Sequence, residues 1–351
     1  MALTPAAAAA AFVGEGAVCE PLATGHIHAS YVVRCGAERY FLQRINSQVF
    51  SEPRQVMANV LLVTAHVRRS NGPITSPALL PTRAGSPWLE DGSGQIWRCM
   101  EFVDGKAKLV VESADDAHAA GLAFGAFARL LASYDGPPLA ETIPGFHDTA
   151  HRLKQLERAI MLDRAGRVAA SRGEIESLRA RAGLADLLAT RRATGAVPCR
   201  LAHNDAKIAN VLFDSATGHA RWVVDLDTVM PGSLLHDFGD LVRSSVSCRA
   251  EDAAAPAAEP VLFAALAEGF LDGVGDTATE AELALLEGAG RLITFEQAIR
   301  FLADHLDGDT YYRIERAGQN LDRARGQLAL LQSLERQSAA FSDIILRLVA
   351  R

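Results

Sequence analysis

The chain has 351 residues, the length of about two domains, or of one large domain in two lobes, at roughly 150 residues per domain. Hydrophobic residues at 49% and charged residues at 22% exclude a mostly disordered, collagen-like or coiled-coil protein and lead us to expect a soluble fold with a substantial core. The 35 basic and 42 acidic side chains leave a net charge of −7 with no Lys/Arg block able to track a phosphate backbone, so nucleic acid is not an expected partner.

The five cysteines, Cys19, Cys35, Cys99, Cys199 and Cys248, are odd in number, scattered and free of any C-x-x-C pair, which reads as free thiols in a reducing compartment. The start, MALTPAAAAAAFVGEG, lacks the basic region of a secretory signal and reaches Glu15 before an apolar stretch could span a bilayer. The expectation is a cytoplasmic protein without a membrane segment.

In chain order, ASYVVRC, a turn at Gly36-Ala37-Glu38 and RYFLQRI predict a hairpin. EPRQVMANVLLVTAHVRRS then carries helical spacing at Val56, Val60, Val63 and Val67. PWLE, a turn at Asp91-Gly92-Ser93-Gly94 and QIWRCMEFV predict a second hairpin, so residues 1–103 read as a small sheet with one helix. After EFVDGK the texture is helical, as in HAAGLAFGAFARLLASY and LLEGAGRLITFEQAIRFLADHL, and it is interrupted around residues 199–240. The Ala/Pro/Glu stretch at 250–260 reads as a loop, and no fixed-period repeat is found.

That interruption carries the chemistry. RLAHNDAKIANVLFD, a turn at Ser215-Ala216-Thr217-Gly218 and RWVVDLDTVM form a predicted hairpin with acidic residues at its ends. Phosphoryl transfer needs a carboxylate to orient the attacking hydroxyl and accept its proton, and oxygen ligands to hold magnesium against nucleotide phosphates. His203-Asn204-Asp205-x4-Asn210 has the spacing of a kinase catalytic loop, with Asp205 as base and Asn210 as metal ligand. Asp225, twenty residues after Asp205, is the expected second metal ligand, and Lys207 is placed to neutralise charge on the transferring phosphoryl group. The competing reading, in which these residues only cap turns, explains each one singly but not their order. Asp237-Phe238-Gly239 spells the metal motif of protein kinases, yet it opens a helix 32 residues after Asp205, so Asp237 is expected to be structural, as an N-terminal helix cap. Asp227 is open between joining the metal ligands and hydrogen-bonding the loop.

HNDAKIANVLFD followed by VVDLDTVMPGSLLHDFGD resembles the aminoglycoside-phosphotransferase-like kinases, and most closely the N-acetylhexosamine 1-kinases. TGHIHASYVV, FLQRINSQVF, PRQVMANV, ETIPGFHDT, RFLADHLDGDTYYRI and NLDRARGQ extend the resemblance over nearly the whole chain. It implies an α+β, bilobal protein-kinase-like fold: a small N-terminal nucleotide-binding β-sheet lobe with one helix, residues 1–103, and a larger, mainly helical lobe, residues 104–351, for catalysis and acceptor binding. It also implies ATP with Mg²⁺ and transfer of the γ-phosphate to a sugar hydroxyl, the anomeric one of a hexose or N-acetylhexosamine. Another small alcohol, such as an amino sugar or amino alcohol, is the alternative acceptor, and a catalytically silent binding protein of the same fold is the rival from another class. No protein partner is implied.

By the same resemblance, Arg44 in LQRIN stands where a kinase places its phosphate-contacting lysine, the alternative being an exposed strand charge, and Gly25 marks the nucleotide-side loop. The backbone of Glu101 and Val103 would meet adenine, and His26, Arg300 and Tyr311 would line the acceptor pocket. Three positions depart from the pattern: Ala29, where Asp or Asn is usual, and Ala206 and Ala209, where sugar 1-kinases often carry Thr and Asn. For Arg300 the alternative is an ordinary helix-surface ion pair with Glu296 or Asp304, each four residues away.

Overall fold

The predicted hairpins come together as one antiparallel sheet with a helix on each face. In the computed structural model, which describes residues 2–22, 27–70 and 72–351, the chain opens with helix α1 (Pro5–Val13), capped by the Thr4 hydroxyl and started by Pro5. Strands β1 (Val18–Leu22), β2 (Ala29–Cys35) and β3 (Glu38–Arg44) follow, then helix α2 (Pro53–Arg69), β4 (Leu79–Leu80), β5 (Leu89–Glu90) and β6 (Ile96–Glu101). The sheet order is β1-β2-β3-β6-β4, with β5 also paired to β6. Both predicted hairpins are present, and the four valines of the helical stripe are all buried on α2. Alternation along the strands splits the sheet into two faces. Val33, Leu42, Trp97 and Cys99 bury one face under Ala8, Ala9 and Phe12 of α1, a helix the sequence reading did not assign. Gln43 and Arg98, paired across β3 and β6, point to the other face, toward the second lobe.

The second lobe begins with β7 (Gly105–Ala107), α3 (Ala114–Ala132), α4 (Thr149–Leu162), α5 (Arg172–Arg179) and α6 (Asp186–Ala193). Four short strands carry the motif region: β8 (Arg200–Ala202), β9 (Val211–Asp214), β10 (Ala220–Val223) and β11 (Met230–Gly232). Strand β9 lies between β10 and β7, and β11 pairs with β8, all antiparallel. Helices α7 (Leu234–Ser245), α8 (Pro260–Val274), α9 (Glu280–Leu283), α10 (Leu286–Asp307), α11 (Gln319–Arg336) and α12 (Ser338–Val349) complete it. The 250–260 loop is irregular up to the start of α8, as expected.

Two contacts fix this frame around the site. Helices α3 and α8 meet backbone to backbone, since a Cβ at Gly121 would lie 2.2 Å from the Leu266 carbonyl oxygen and one at Gly269 2.1 Å from that of His118. Only glycine permits that approach, and it seats α3 beneath β8 and β10. Asn59, inside α2, is buried and donates to the Ala140 and Val229 carbonyls at 2.8 and 3.2 Å while accepting from the Ala140 N–H at 3.0 Å. A fully satisfied buried amide thus holds α2 against the segment after Asp227.

Candidate active site

The loop from β8 to β9 and the turn from β10 to β11 face one another, each with a non-glycine residue in the left-handed region: Asn204 at φ +62° and Asp225 at φ +63°. Asn and Asp tolerate this conformation better than other residues, because short polar side chains can bond nearby backbone. The Asn204 amide donates to the Ala202 and Thr228 carbonyls at 3.1 and 3.0 Å. Gly232 leaves room for it, as a Cβ there would come within 2.3 Å of Asn204 Oδ1.

Three links set the register between loop and turn. The fully buried His203 donates from Nε2 to the Val224 carbonyl at 3.0 Å and accepts at Nδ1 from the Asp205 N–H at 3.3 Å, a neutral tautomer that ties the residue before Asp225 to Asp205. The Val224 N–H donates to the Asn210 carbonyl at 3.0 Å. Asp237 accepts from the backbone N–H groups of His203 and Asn204 at 2.9 and 2.7 Å. The expectation that Asp237 caps its own helix is therefore corrected: Ser233 caps α7, and the Asp237 carboxylate one turn in is committed to the loop.

Asp205 is half-buried, and its Oδ2 accepts from Lys207 Nζ at 2.7 Å and Asn210 Nδ2 at 3.0 Å. Burial pushes its pKa up, but the Lys207 charge and hydrogen bond more than reverse this, so the carboxylate stays ionised and able to accept from a hydroxyl. Lys207 is held protonated in turn: burial opposes its charge, and Asp205 and Asp225 outweigh burial.

His28, Asp225 and Asp227 offer oxygen or nitrogen atoms within 4.8 Å of one another, a spacing that suits a metal. Two of the three are already committed. Asp227, 1% exposed, accepts from both terminal nitrogens of the buried Arg98 and from His28 Nε2 at 2.6 Å. His28 Nδ1 accepts from the Asn46 N–H at 3.1 Å, which makes Nε2 the protonated nitrogen. Asp227 is thus hydrogen-bonded to Arg98 and His28, while it stands within reach of a metal at Asp225. The Asp225 carboxylate accepts no hydrogen bond among the described residues, and burial and the charges of Asp227 and Asp205 push its pKa up. The Asn210 amide oxygen also lacks a donor among them, so two unspent oxygen ligands beside ionised Asp205 fit a hard divalent cation such as Mg²⁺.

His147 donates from Nε2 to the carbonyl of Asn204, the residue before Asp205, at 2.9 Å and from Nδ1 to Glu296 at 2.8 Å. Two acceptor partners require the imidazolium. Burial lowers the His147 pKa, but Glu296 more than reverses it, while His236, its ring centroid 4.5 Å away, is pushed well down by burial and by the His147 charge. Arg300 lies on α10 with its guanidinium 4.9 Å above the Phe146 ring and close to Tyr311 and Tyr312. The surface ion pairs open to it are not made. Glu296 is taken by His147 and Thr149, and Asp304 by the N–H groups of residues 310–312 and by Asn320.

Residues 18–286 match the model of the phosphotransferase enzyme family. The chain belongs to that family. It is an ATP-dependent phosphotransferase with Mg²⁺ as its metal, acting on a hydroxyl group of a small molecule. Solved structures similar to it include an aminoglycoside phosphotransferase from Alicyclobacillus acidocaldarius, at 15% identity and a TM-score of 0.62 over 97% of this chain and 98% of that one. A microcompartment-associated aminopropanol kinase matches at 19% identity and 0.60 over 95% and 97%. A choline/ethanolamine kinase family protein from Mesorhizobium loti matches at 15% identity and 0.55 over 93% and 92%. At these identities the likeness is one of fold, the bilobal kinase-like fold expected from the sequence.

Asp205, Lys207, Asn210 and Asp225 are thus brought together in this phosphotransferase. Arg44 is not. Its neighbour in register is Trp97, and its guanidinium lies 5.7 Å from the Trp97 ring, on the face covered by α1. The expectation that Arg44 meets phosphate is corrected by strand alternation: the cation that β3 and β6 turn toward the second lobe is Arg98. The Glu101 side chain accepts from Arg68 and the Ala78 N–H, and its own N–H donates to the Ala78 carbonyl at 2.9 Å, which leaves its carbonyl for a ligand. The Val103 carbonyl accepts from Gly105, and its N–H has no acceptor among the described residues. Tyr311 is exposed at the rim of the Arg300 cavity. Gly25 and His26 lie outside the described residues. Arg98, His28, His147 and Glu296 were not singled out from sequence, although an arginine alternating with Trp97 and Cys99 inside a strand was a usable sign for the first.

Proposed function

We propose that the chain transfers the γ-phosphate of ATP to a sugar, at its anomeric hydroxyl, by direct in-line displacement. The observation that carries the sugar assignment is a cavity of about 390 Å³ lined by Arg300, Tyr311, Tyr312 and Ile299, with the Arg300 guanidinium also 4.9 Å from the Phe146 ring. Aromatic faces beside a planar, multi-donor cation suit a polyhydroxy ring. An ammonium-bearing amino alcohol would meet the Arg300 charge there, and the nearby Glu296 and Asp304 carboxylates are spent on protein donors. The anomeric position rests on the resemblance to N-acetylhexosamine 1-kinases over ETIPGFHDT and RFLADHLDGDTYYRI.

Asp205 accepts a hydrogen bond from the acceptor hydroxyl and takes its proton as the new O–P bond forms and the bond from the γ-phosphorus to the β–γ bridging oxygen breaks, releasing ADP, while Lys207 stabilises charge on the phosphoryl group. Asn210 and Asp225 would hold Mg²⁺, which when bound would neutralise charge on the nucleotide phosphates. The Glu101 carbonyl and Val103 N–H meet adenine and Tyr311 joins Arg300 on the acceptor; the roles that the resemblance implies for Gly25 toward phosphate and His26 toward the acceptor fall on residues outside those described. Residues 1–103 form the nucleotide lobe and 104–351 the acceptor lobe. No described helix is long and apolar enough to cross a membrane, and the unpaired cysteines favour the cytoplasm. Incubation with ATP, Mg²⁺ and a panel of sugars and amino alcohols, read by ADP release and product mass, tests this. Sugars should yield a phosphorylated product without a reducing end; ADP release with amino alcohols alone would overturn it.

A further inference from the structure

We propose that the acceptor carries an anionic group, a carboxylate or a phosphate, that docks between Arg152 and Arg300. This rests on the reading of the Arg300 cavity as the acceptor site. Arg152, on α4, donates from Nε and Nη2 to the Phe146 carbonyl at 3.3 and 2.9 Å and from Nη1 to Gln155 at 2.9 Å. Arg300, on α10, covers the ring of the same Phe146 and donates from Nη1 to Gln297 at 3.1 Å. Two guanidinium groups therefore converge on one residue, one on its carbonyl and one on its ring. The next residue, His147, bonds the carbonyl of Asn204, and Asp205 follows. The pair thus stands beside the catalytic loop, close enough for the Asp205 charge to act on Arg300.

Neither guanidinium has a carboxylate within ion-pair distance among the described residues. Arg158 and Arg164 add two more cations to the cavity wall, against Asp304 and Asp307. Asp304 is consumed by three backbone N–H groups and Asn320, and Asp307 lies 3.4 Å from Arg164. Arg152 and Arg300 also feel each other: burial, then the Arg300 charge, lowers the Arg152 pKa. Glu296 acts on both arginines and Asp205 on Arg300 only from a distance, so two partly buried like charges lack a counter-ion in direct contact, a place that a ligand anion fills. Guanidinium forks match carboxylate and phosphate oxygens in geometry, and such charge-assisted bonds are about twice as strong as neutral ones. An ammonium-bearing acceptor would meet repulsion at the same place.

The experiment compares acceptors matched except for charge: glucose, glucuronic acid, glucose 6-phosphate and glucosamine, with galactose and galacturonic acid as a second series, each with ATP and Mg²⁺. An acidic sugar should exceed its neutral counterpart in kcat/KM by roughly tenfold or more, with the amino sugar lowest. Arg152→Gln should shrink the acid-to-neutral ratio by a similar factor while Arg152→Lys retains part of it, with thermal melts reporting whether each variant folds. Whether uronic acid or sugar phosphate leads identifies the anion. A neutral sugar used as well as its acid, or an unchanged ratio in Arg152→Gln, overturns the proposal. If no acceptor turns over, calorimetry of glucuronate and glucose 6-phosphate against the full chain with a non-hydrolysable ATP analogue separates the two readings. Binding lost in Arg152→Gln upholds the anion site while the sugar-kinase reading falls, and no binding of either anion overturns the site itself.

Discussion

Replacing Asp225 with Asn should stabilise the metal-free protein while abolishing its activity. Carboxylate oxygens of Asp225 and Asp227 lie within 4.8 Å, and at an effective dielectric constant of about 20 two unit charges at that distance repel by roughly 3.5 kcal/mol. Arg98 and His28 offset much of the Asp227 charge, and Lys207 attracts Asp225, so a net gain of about 1 kcal/mol is the expected size. The amide forfeits no hydrogen bond to a described residue, because the carboxylate makes none. Urea unfolding with EDTA should therefore place Asp225→Asn above the wild type, with a melting temperature higher by about 1–2 °C for a chain of 351 residues. Saturating Mg·ADP should reverse the order, since ligand at about a hundredfold its Kd adds about 2.7 kcal/mol to the wild type and little to the variant. A variant less stable than the wild type in EDTA would refute the crowding argument. A variant stabilised by Mg·ADP beyond ADP alone would remove Asp225 from the metal.

Asp205→Asn should lower kcat by on the order of 10²–10⁴ with nucleotide affinity retained, checked by steady-state kinetics and ADP calorimetry. Asp237→Ala strands two buried N–H groups at about 1–3 kcal/mol each, so urea unfolding should show a large loss while a folded fraction still binds Mg·ADP; loss of metal-dependent binding alone would reverse the choice between Asp225 and Asp237. Arg300→Ala should reduce acceptor kcat/KM ten- to a hundredfold, from one lost charge-assisted contact of about 1.5–3 kcal/mol, with the KM of ATP little changed. His147 has a raised pKa, so its stabilisation is full below its ordinary 6.5 and fades as pH rises through the folded value; Glu296 has a lowered one, so its share is full above 4.5 and fades as pH falls. The stability difference between wild type and His147→Gln should therefore peak between about pH 4.5 and 6.5 in unfolding titrations, and a difference flat with pH would contradict the charged pair.

Periodicity and turn chemistry made the β2–β3 hairpin, α2 and the β9–β10 hairpin legible, because each is fixed by residues a few positions apart. The ordered set from Asp205 to Asp225 was legible for a different reason, as its spacing reflects the reaction. What escaped was set by distant partners. Which face of β3 meets the cleft depends on α1 covering the other, and α1 announced itself only by Thr4 and Pro5 before an alanine run, so Arg44 was placed on the wrong side. Asp227 finds Arg98 and His28 across 129 and 199 positions, and Asp237 reaches back 33 and 34 positions to the loop. Helical spacing offered Arg300 two carboxylates, and both were claimed by groups that spacing cannot reveal.

Those distant claims separate the polar groups by what remains of their bonding capacity. Asp227, Asp237, Glu296 and Asp304 are spent on protein donors, and a buried carboxylate already holding a guanidinium or two N–H groups has little to gain from a ligand. Asp225, the Asn210 amide oxygen, the Val103 N–H and the Arg152–Arg300 pair are left with unmet charge or hydrogen bonds at positions where the fold has already met the cost of desolvating them. The unmet groups at Asp225 and Asn210 are oxygens and suit a cation; those at Arg152 and Arg300 are guanidiniums and suit an anion. On the proposed reading, an acceptor that bridges Asp205 and the arginine pair would be held at both ends, which would orient one hydroxyl toward the phosphoryl group and make acceptor charge, rather than ring size alone, the property under selection.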